Sequence, residues 1–474
     1  MSDDITLLSA TELVEAYAAK RLSPVEVVDA ALARIDELQP TLNSFVTVCA
    51  DDARNAAKDA EKALSDGDSV GPLTGIPYSV KDLVLTKGVR TTMGSAVLSD
   101  NVPDRDAVSV RRLKHAGGVL LGKTTTPALG HKAITTSLIS GVSRNPWNPD
   151  RTCGGSSGGA AASVASGQGP LAVGTDGGGS VRIPASACGI VGLKATLGRV
   201  PHESAPDLFG SLSYIGPMAR TVADLALMYV VMADADSADP WSQGQPPLPD
   251  LSFVNQPSIP KDLKAAWFPL LGNSLIDSGV KACIESAVAN LSDLGLQVEP
   301  EEDILEPGDA MWRVIGYSAQ YARMARYLDS SPDLIDPTLR KNMEEGMKVS
   351  GVDLQNAIFA RSDIYRAIEK VFERFDLMIT PTLAAPPPAA NFDAHEDIII
   401  EGKPAGKLRA AWYGYTHPFN MSGHPAISLP CGWTDDGLPV GMQLIAPWYR
   451  EDLLLQVAAA FEQAHPWAGR WPQI

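Results

Sequence analysis

Residues 171–180, Leu171-Ala172-Val173-Gly174-Thr175-Asp176-Gly177-Gly178-Gly179-Ser180, join a short apolar run to four consecutive small residues. An apolar run of this length, closed by glycine, reads as a buried strand. Beyond it, Gly177 to Ser180 let the backbone turn so that several N–H groups point into one cavity. Such donors suit the oxyanion of a tetrahedral intermediate. Ser180 stands where its Oγ could attack the same carbonyl carbon.

The segments on either side extend the pattern. Gly75-Ile76-Pro77-Tyr78-Ser79-Val80 reads as a strand leading into Lys81-Asp82, and Val119-Leu120-Leu121 as another. Between them Ala107 to His115 reads as an amphipathic helix stopped by Gly117-Gly118. Strand alternating with helix predicts an α/β core with a mostly parallel sheet. Residues 1–65 read as helices, with capping boxes at Ser9/Glu12 and Ser23/Glu26, the second followed by Pro24 at the first helical position. Phe45-Val46-Thr47-Val48 interrupts them as a short strand. Asp236 to Pro260 carries six prolines and reads as a long loop, and 275–375 as mostly helical. Thr380-Pro381-Thr382 and Pro386-Pro387-Pro388 mark a return to loop, followed by strands at Ala426–Pro430 and Val440–Ile445 and a closing helix from Glu451 to Gln463. Strands stand on both sides of the proline-rich loop. One domain over 1–474 is therefore expected, with its core at about 70–235, a variable helical region at about 275–375 and a C-terminal part at about 376–474.

Composition narrows the function. Among 474 residues, 45% are hydrophobic, enough for a large core. Lys and Arg number 39 against 56 Asp and Glu, a net charge of −17, which argues against a nucleic-acid partner. Five scattered cysteines (Cys49, Cys153, Cys188, Cys283, Cys431) form no C-x-x-C pair, so neither a disulfide framework nor a zinc site is suggested. Met1-Ser2-Asp3-Asp4 lacks the features of a signal peptide, and the uncharged run Thr152–Thr175 is too rich in glycine and serine to insert in a membrane. A cytoplasmic protein with no membrane contact is expected.

Three motif matches fail on context. Gly117-Gly118-Val119-Leu120-Leu121-Gly122-Lys123-Thr124 satisfies the P-loop expression, but its middle is strand material where a phosphate-wrapping loop is required. Gly154-Gly155-Ser156-Ser157-Gly158-Gly159 contains G-x-S-x-G, yet the turn-like Asn145–Asp150 precedes it and no downstream histidine stands in the setting of a triad base. Ser278-Gly279-Val280-Lys281 matches S-x-x-K without its companion motifs.

Lys81 at a strand end, the Gly154–Gly159 loop and the Gly177–Ser180 turn form the constellation of interest. A serine nucleophile needs a base. Where no histidine supplies it, a desolvated lysine can, because burial favours the neutral amine. Ser156, in a loop of glycines, could relay the proton between Ser180 and Lys81. Each piece alone also has an ordinary explanation, a solvated lysine and flexible turns, and composition and spacing leave the two evenly balanced.

At these residues the sequence resembles the amidase signature family. The resemblance is carried by Gly154–Gly159, by Gly174-Thr175-Asp176-Gly177-Gly178-Gly179-Ser180-Val181-Arg182-Ile183-Pro184-Ala185, by Gly75-Ile76-Pro77 through Lys81-Asp82, and by Arg144–Pro149. Gly216–Thr221, Thr380-Pro381-Thr382, Pro418-Phe419-Asn420 and Gly437–Gly441 extend it along most of the chain. It implies a single α/β/α domain with a large mixed sheet between layers of helices. It places the family's Ser–cisSer–Lys triad on Ser180 as nucleophile, Ser156 as relay and Lys81 as base, with a cis Gly155–Ser156 peptide. The N–H groups of Gly177, Gly178, Gly179 and Ser180 would form the oxyanion hole, and Gly155, Asp176 and Arg182 would support the turn. Cys153 and Gly177 depart from the family's usual proline and larger residue.

The implied chemistry is acyl transfer from a small-molecule amide without metal or organic cofactor. Aryl or small apolar amides, with carbamates, are the expected substrates. The alternative is a glutamine-hydrolysing amidotransferase component that works with partner proteins. Trp312, Tyr317, Tyr321, Tyr365, Trp412, Tyr413 and Tyr415 are candidates to wall the pocket. A homodimer is the default expectation for assembly.

Overall fold

The computed structural model describes residues 4–302, 305 and 309–474. Its centre is an 11-stranded sheet. In chain order the strands are β1 (Phe45–Val48), β2 (Pro77–Lys81), β3 (Val119–Thr124), β4 (Leu171–Asp176), β5 (Val191–Lys194) and β6 (Tyr214–Ala219). Past the proline-rich loop come β7 (Lys264–Trp267), β8 (Gln297–Pro300), β9 (Leu377–Pro381), β10 (Ala426–Trp433) and β11 (Pro439–Ile445). Across the sheet the order is β1-β3-β2-β4-β6-β5-β10-β11-β9-β7-β8. Both halves of the chain thus build one sheet.

The sheet is mixed, as the family resemblance implied, and not mostly parallel as the strand–helix alternation suggested. Strands β3, β2 and β4 run parallel, as do β9, β7 and β8. Each remaining neighbouring pair is antiparallel. The difference arises where the local pattern is weak. β6 hides Gly216-Pro217 in its middle, and β8 is a largely exposed edge strand inside the region that reads as helical. Thr380-Pro381 belongs to β9 and not to a loop. The hairpin joining β10 to β11 turns at Gly437, where φ is +81°.

Period-two alternation sorts the side chains between the two faces. Val80, Val173, Leu193 and Ile427 meet the apolar faces of helices Val222–Met232, Ser278–Asp293 and Glu451–Ala464 in one buried cluster. On the other face Ala172 meets the short helix Gly158–Ala165, whose small side chains permit close packing. Ser79 and Lys81 flank Val80 and so point to that second face, where Ser79 Oγ lies 3.4 Å from Ser163 Oγ of the helix.

Both capping boxes form, starting helices Ala10–Ala18 and Pro24–Leu42. Arginines pin the proline-rich loop and its approach: Arg112 donates to the carbonyls of Met232, Ala233 and Ala235 just ahead of it, and Arg199 to that of Pro247 within it. Lys123 of the P-loop match is fully buried within β3, donating to Thr86 Oγ1 and the Val84 carbonyl, so no phosphate loop exists there. Asn145, in the stretch that reads as a turn, pairs with Asn148 in a two-stranded ladder. Among the described residues no helix is long and apolar enough to cross a membrane. Residues 303, 304 and 306–308 of the variable helical region lie outside the described residues.

Candidate active site

Parallel pairing of β2 with β4, with Val80 opposite Val173, brings the ends of both strands to the same edge. Lys81 closes β2 and Asp176 closes β4. The Gly154–Ser157 loop enters beside them as the lead into helix Gly158–Ala165. This topology joins residues that lie far apart in sequence.

Lys81 is completely buried. Its Nζ lies 2.7 Å from Ser156 Oγ, 2.9 Å from Ser157 Oγ and 2.9 Å from Thr175 Oγ1. Desolvation holds its pKa well below the usual lysine range, and the Coulomb pull of Asp176 offsets this only in part. Three hydroxyls with no paired carboxylate form an environment for a neutral amine. The Gly155–Ser156 peptide is cis, as the resemblance implied. Ser180 is half-buried, and its carbonyl accepts from the Ser157 N–H at 3.2 Å.

The turn that carries Ser180 is anchored at several points. Asp176 accepts from the N–H of Gly179 at 2.6 Å and of Val181 at 3.1 Å. Arg182 approaches the same carboxylate with Nε and Nη2, both at 3.0 Å. Burial would raise the Asp176 pKa, but the Arg182 charge and its hydrogen bonds win, leaving the carboxylate ionised. Arg182 also donates to the Thr416 carbonyl, Gln443 Oε1 and Asn420 Oδ1. Trp312 Nε1 donates to the Gly177 carbonyl and Thr416 Oγ1 to that of Gly178, each at 2.7 Å.

This anchoring alters the expected oxyanion hole. The Gly179 N–H is bound to Asp176, so it is not free for a substrate oxygen in this arrangement. Among the described residues the N–H groups of Gly177, Gly178 and Ser180 have no acceptor. The Gly178–Gly179 peptide is held at both ends, its carbonyl by Thr416 and its N–H by Asp176.

Ser180, Gly177 and Gly178 line a narrow cavity whose walls include Gly130, Ile183, Trp312 and Tyr413. Of the aromatic candidates, Trp312 and Tyr413 therefore wall the site, while Tyr317 lines an adjoining outer cavity. Trp412 and Tyr415 are core, their polar tips bonded to the carbonyls of Ala385 and Pro269. Tyr321 packs in a separate apolar cluster, and Tyr365 stacks on His424. His131 also lines the cavity, but its ring nitrogens meet the Ala128 carbonyl and Thr338 Oγ1. Burial pushes the Cys153 thiol up to about 12, consistent with a packing role.

Several site residues carry no role that the sequence motifs assign. Ser157 and Thr175 share the lysine with Ser156, and Gly130 leaves room for Ser156, since a Cβ there would sit 2.9 Å from its Oγ. Gln443 had a legible signal, a polar side chain amid the apolar strand Val440–Ile445.

Arg182→Met strands the buried Asp176 carboxylate and is expected to cost about 3–5 kcal/mol in chemical denaturation. Gly179→Ala places a Cβ against Thr416 Oγ1 at a φ of +116°, so it should lower the melting temperature or prevent folding. A Cβ at Gly177 meets nothing within 4 Å, so Gly177→Ala should melt within a degree or two of the parent, read by calorimetry.

Comparison with known proteins identifies the family. The Amidase family model matches residues 26–455. An acylamidase of Rhodococcus erythropolis is 37% identical over 98% of this chain and 97% of its own. A glutamyl-tRNA(Gln) amidotransferase component of Symbiobacterium thermophilum is 35% identical, with 96% of each chain covered. A bacterial aryl acylamidase of the amidase signature family superposes with a TM-score of 0.90 at 32% identity, covering 98% of this chain and 99% of that one. With likeness of this extent in sequence and in fold, the chain belongs to the amidase signature family and is a hydrolase acting on linear amides.

Proposed function

We propose that the chain cleaves aryl or small apolar amides, carbamates included, through an acyl-enzyme formed on Ser180. The observation that carries this is the buried Lys81 held by hydroxyls, with Ser156 at 2.7 Å. The Ser157 hydroxyl lies 3.1 Å from the Thr175 carbonyl and can donate to it, leaving its oxygen to accept from Lys81. The amine lone pair is then available to Ser156.

Neutral Lys81 takes the Ser156 proton as Ser156 takes that of Ser180, and Ser180 Oγ attacks the amide carbon. The N–H groups of Gly177, Gly178 and Ser180 receive the oxyanion. The proton returns through Ser156 to the departing nitrogen, the C–N bond breaks, and water repeats the sequence on the ester to release the acid. Trp312 and Tyr413, together with the acylamidase relatives, support an aryl or apolar group at the site. The second reading, glutamine hydrolysis within an ammonia-supplying complex, is supported by the amidotransferase relatives.

Hydrolysis of p-nitroacetanilide should fall by several orders of magnitude in Ser180→Ala and in Lys81→Ala. A Lys81→Ala enzyme that kept most of its rate would place the base elsewhere. Glutamine cleavage exceeding that of every aryl amide and carbamate tested would favour the second reading.

The pH dependence has a definite sign. Only unprotonated Lys81 accepts a proton, so kcat/KM should climb with pH along a limb centred well below the ordinary 10.5 and then level off. The unfolded chain binds this proton more tightly. Folding stability from this group therefore rises with pH between the lowered folded value and 10.5, and is lost as pH falls.

A further inference from the structure

Beside the turn that carries Ser180 lies a cation that has no counter-ion among the described residues. The Arg409 side chain is buried, with the residue only 9% exposed, and it lines the cavity that holds Ser180. Its guanidinium lies over the Trp312 ring at 3.4 Å and 5.3 Å from that of Tyr413. Nη1 reaches to 3.0 Å from the point where Gly178 would carry a Cβ. Among the described residues no carboxylate lies within 4 Å of it, and no oxygen accepts from its five N–H donors.

Its neighbours are different. The cavity opens beside a second one of about 370 Å³, which shares Arg409, Tyr413 and Lys132 with it. Each other Lys or Arg lining that outer cavity has an acid: Lys132 meets Asp336, Arg313 meets Asp309, Lys341 meets Asp393 and Lys407 meets Asp397. In a chain with 56 acids against 39 bases, an unneutralised arginine at the substrate cavity is not explained by a shortage of carboxylates. The aromatic rings attract the cation but satisfy no N–H. Its nitrogens border the cavity, where a ligand can reach them.

We propose that Arg409 receives a carboxylate carried by the substrate, so that the preferred amides are anionic ones with an apolar or aryl portion against Trp312 and Tyr413. This rests on the amidase reading and narrows it. The planar fork suits a carboxylate held by two hydrogen bonds. Because Trp312 also holds the Gly177 carbonyl, binding there is coupled to the turn that carries Ser180.

The test uses the full-length chain with Ser180→Ala, so that no ligand is consumed, and isothermal titration calorimetry. Two anionic ligands, succinanilate with its charge on the acyl half and 3-acetamidobenzoate with its charge on the amine half, are compared with their neutral counterparts N-phenylbutanamide and acetanilide. At least one anionic ligand should bind about tenfold or more tightly than its counterpart. That ratio should collapse toward one in Ser180→Ala/Arg409→Met and recover in part with Arg409→Lys. An arginine that merely braces Trp312 would weaken both members of a pair alike and leave the ratio intact, which overturns the proposal. No preference in the parent, or no binding of either anion, overturns it as well. Wild-type turnover of p-nitroacetanilide is measured separately, so failure of amide hydrolysis is distinguishable from failure of the anion site.

Discussion

The site depends on the buried ion pair between Asp176 and Arg182. Neither side chain is exposed, and the guanidinium meets the carboxylate with two nitrogens. Such a pair repays its desolvation only when the remaining donors and acceptors are satisfied. Here they are: the carboxylate takes the backbone N–H groups of Gly179 and Val181, and the arginine reaches Thr416, Asn420 and Gln443. One interaction therefore ties the end of β4, the helix that starts at Arg182 and the C-terminal segment to a common point. The turn at Gly177–Ser180 takes its shape from that point, helped by Thr416 and Trp312.

Lys81 presents the opposite electrostatic situation. It is as deeply buried as Arg182 but has hydroxyl partners where the arginine has a carboxylate. The two buried basic side chains thus differ in their partners: the arginine is paired with a carboxylate, and the lysine, among hydroxyls, is driven toward the neutral amine. The charged pair shapes the backbone, while burial lowers the lysine's affinity for its proton.

Much of this is legible in the residues alone. Capping boxes at Ser9 and Ser23 mark helix starts because the same side chains close the first turn wherever they occur. The resemblance of the surrounding residues to the family signature points to Lys81 and Ser156, which the fold brings to 2.7 Å, and Lys123 is separable from a phosphate loop because Val119-Leu120-Leu121 is sheet material. Strands β5, β6 and β8 are not legible in this way. They are short, interrupted by glycine and proline or exposed at an edge, and pairing with distant neighbours stabilises them where local preference does not.

Local pattern determined the elements whose signals lie within a turn or two of chain: the capped helices, the apolar strands, and the glycine-rich loops able to carry a serine. Only the tertiary structure decided which backbone N–H groups the Gly177–Ser180 turn leaves free. The Gly179 N–H goes to Asp176, while Trp312, far along the chain, takes the Gly177 carbonyl. It likewise decided that Lys81 lies among hydroxyls while Arg409 lies over the Trp312 ring with no carboxylate beside it among the described residues. Charge state and hydrogen-bond availability depend on burial and on partners many residues away, and no local pattern encodes either.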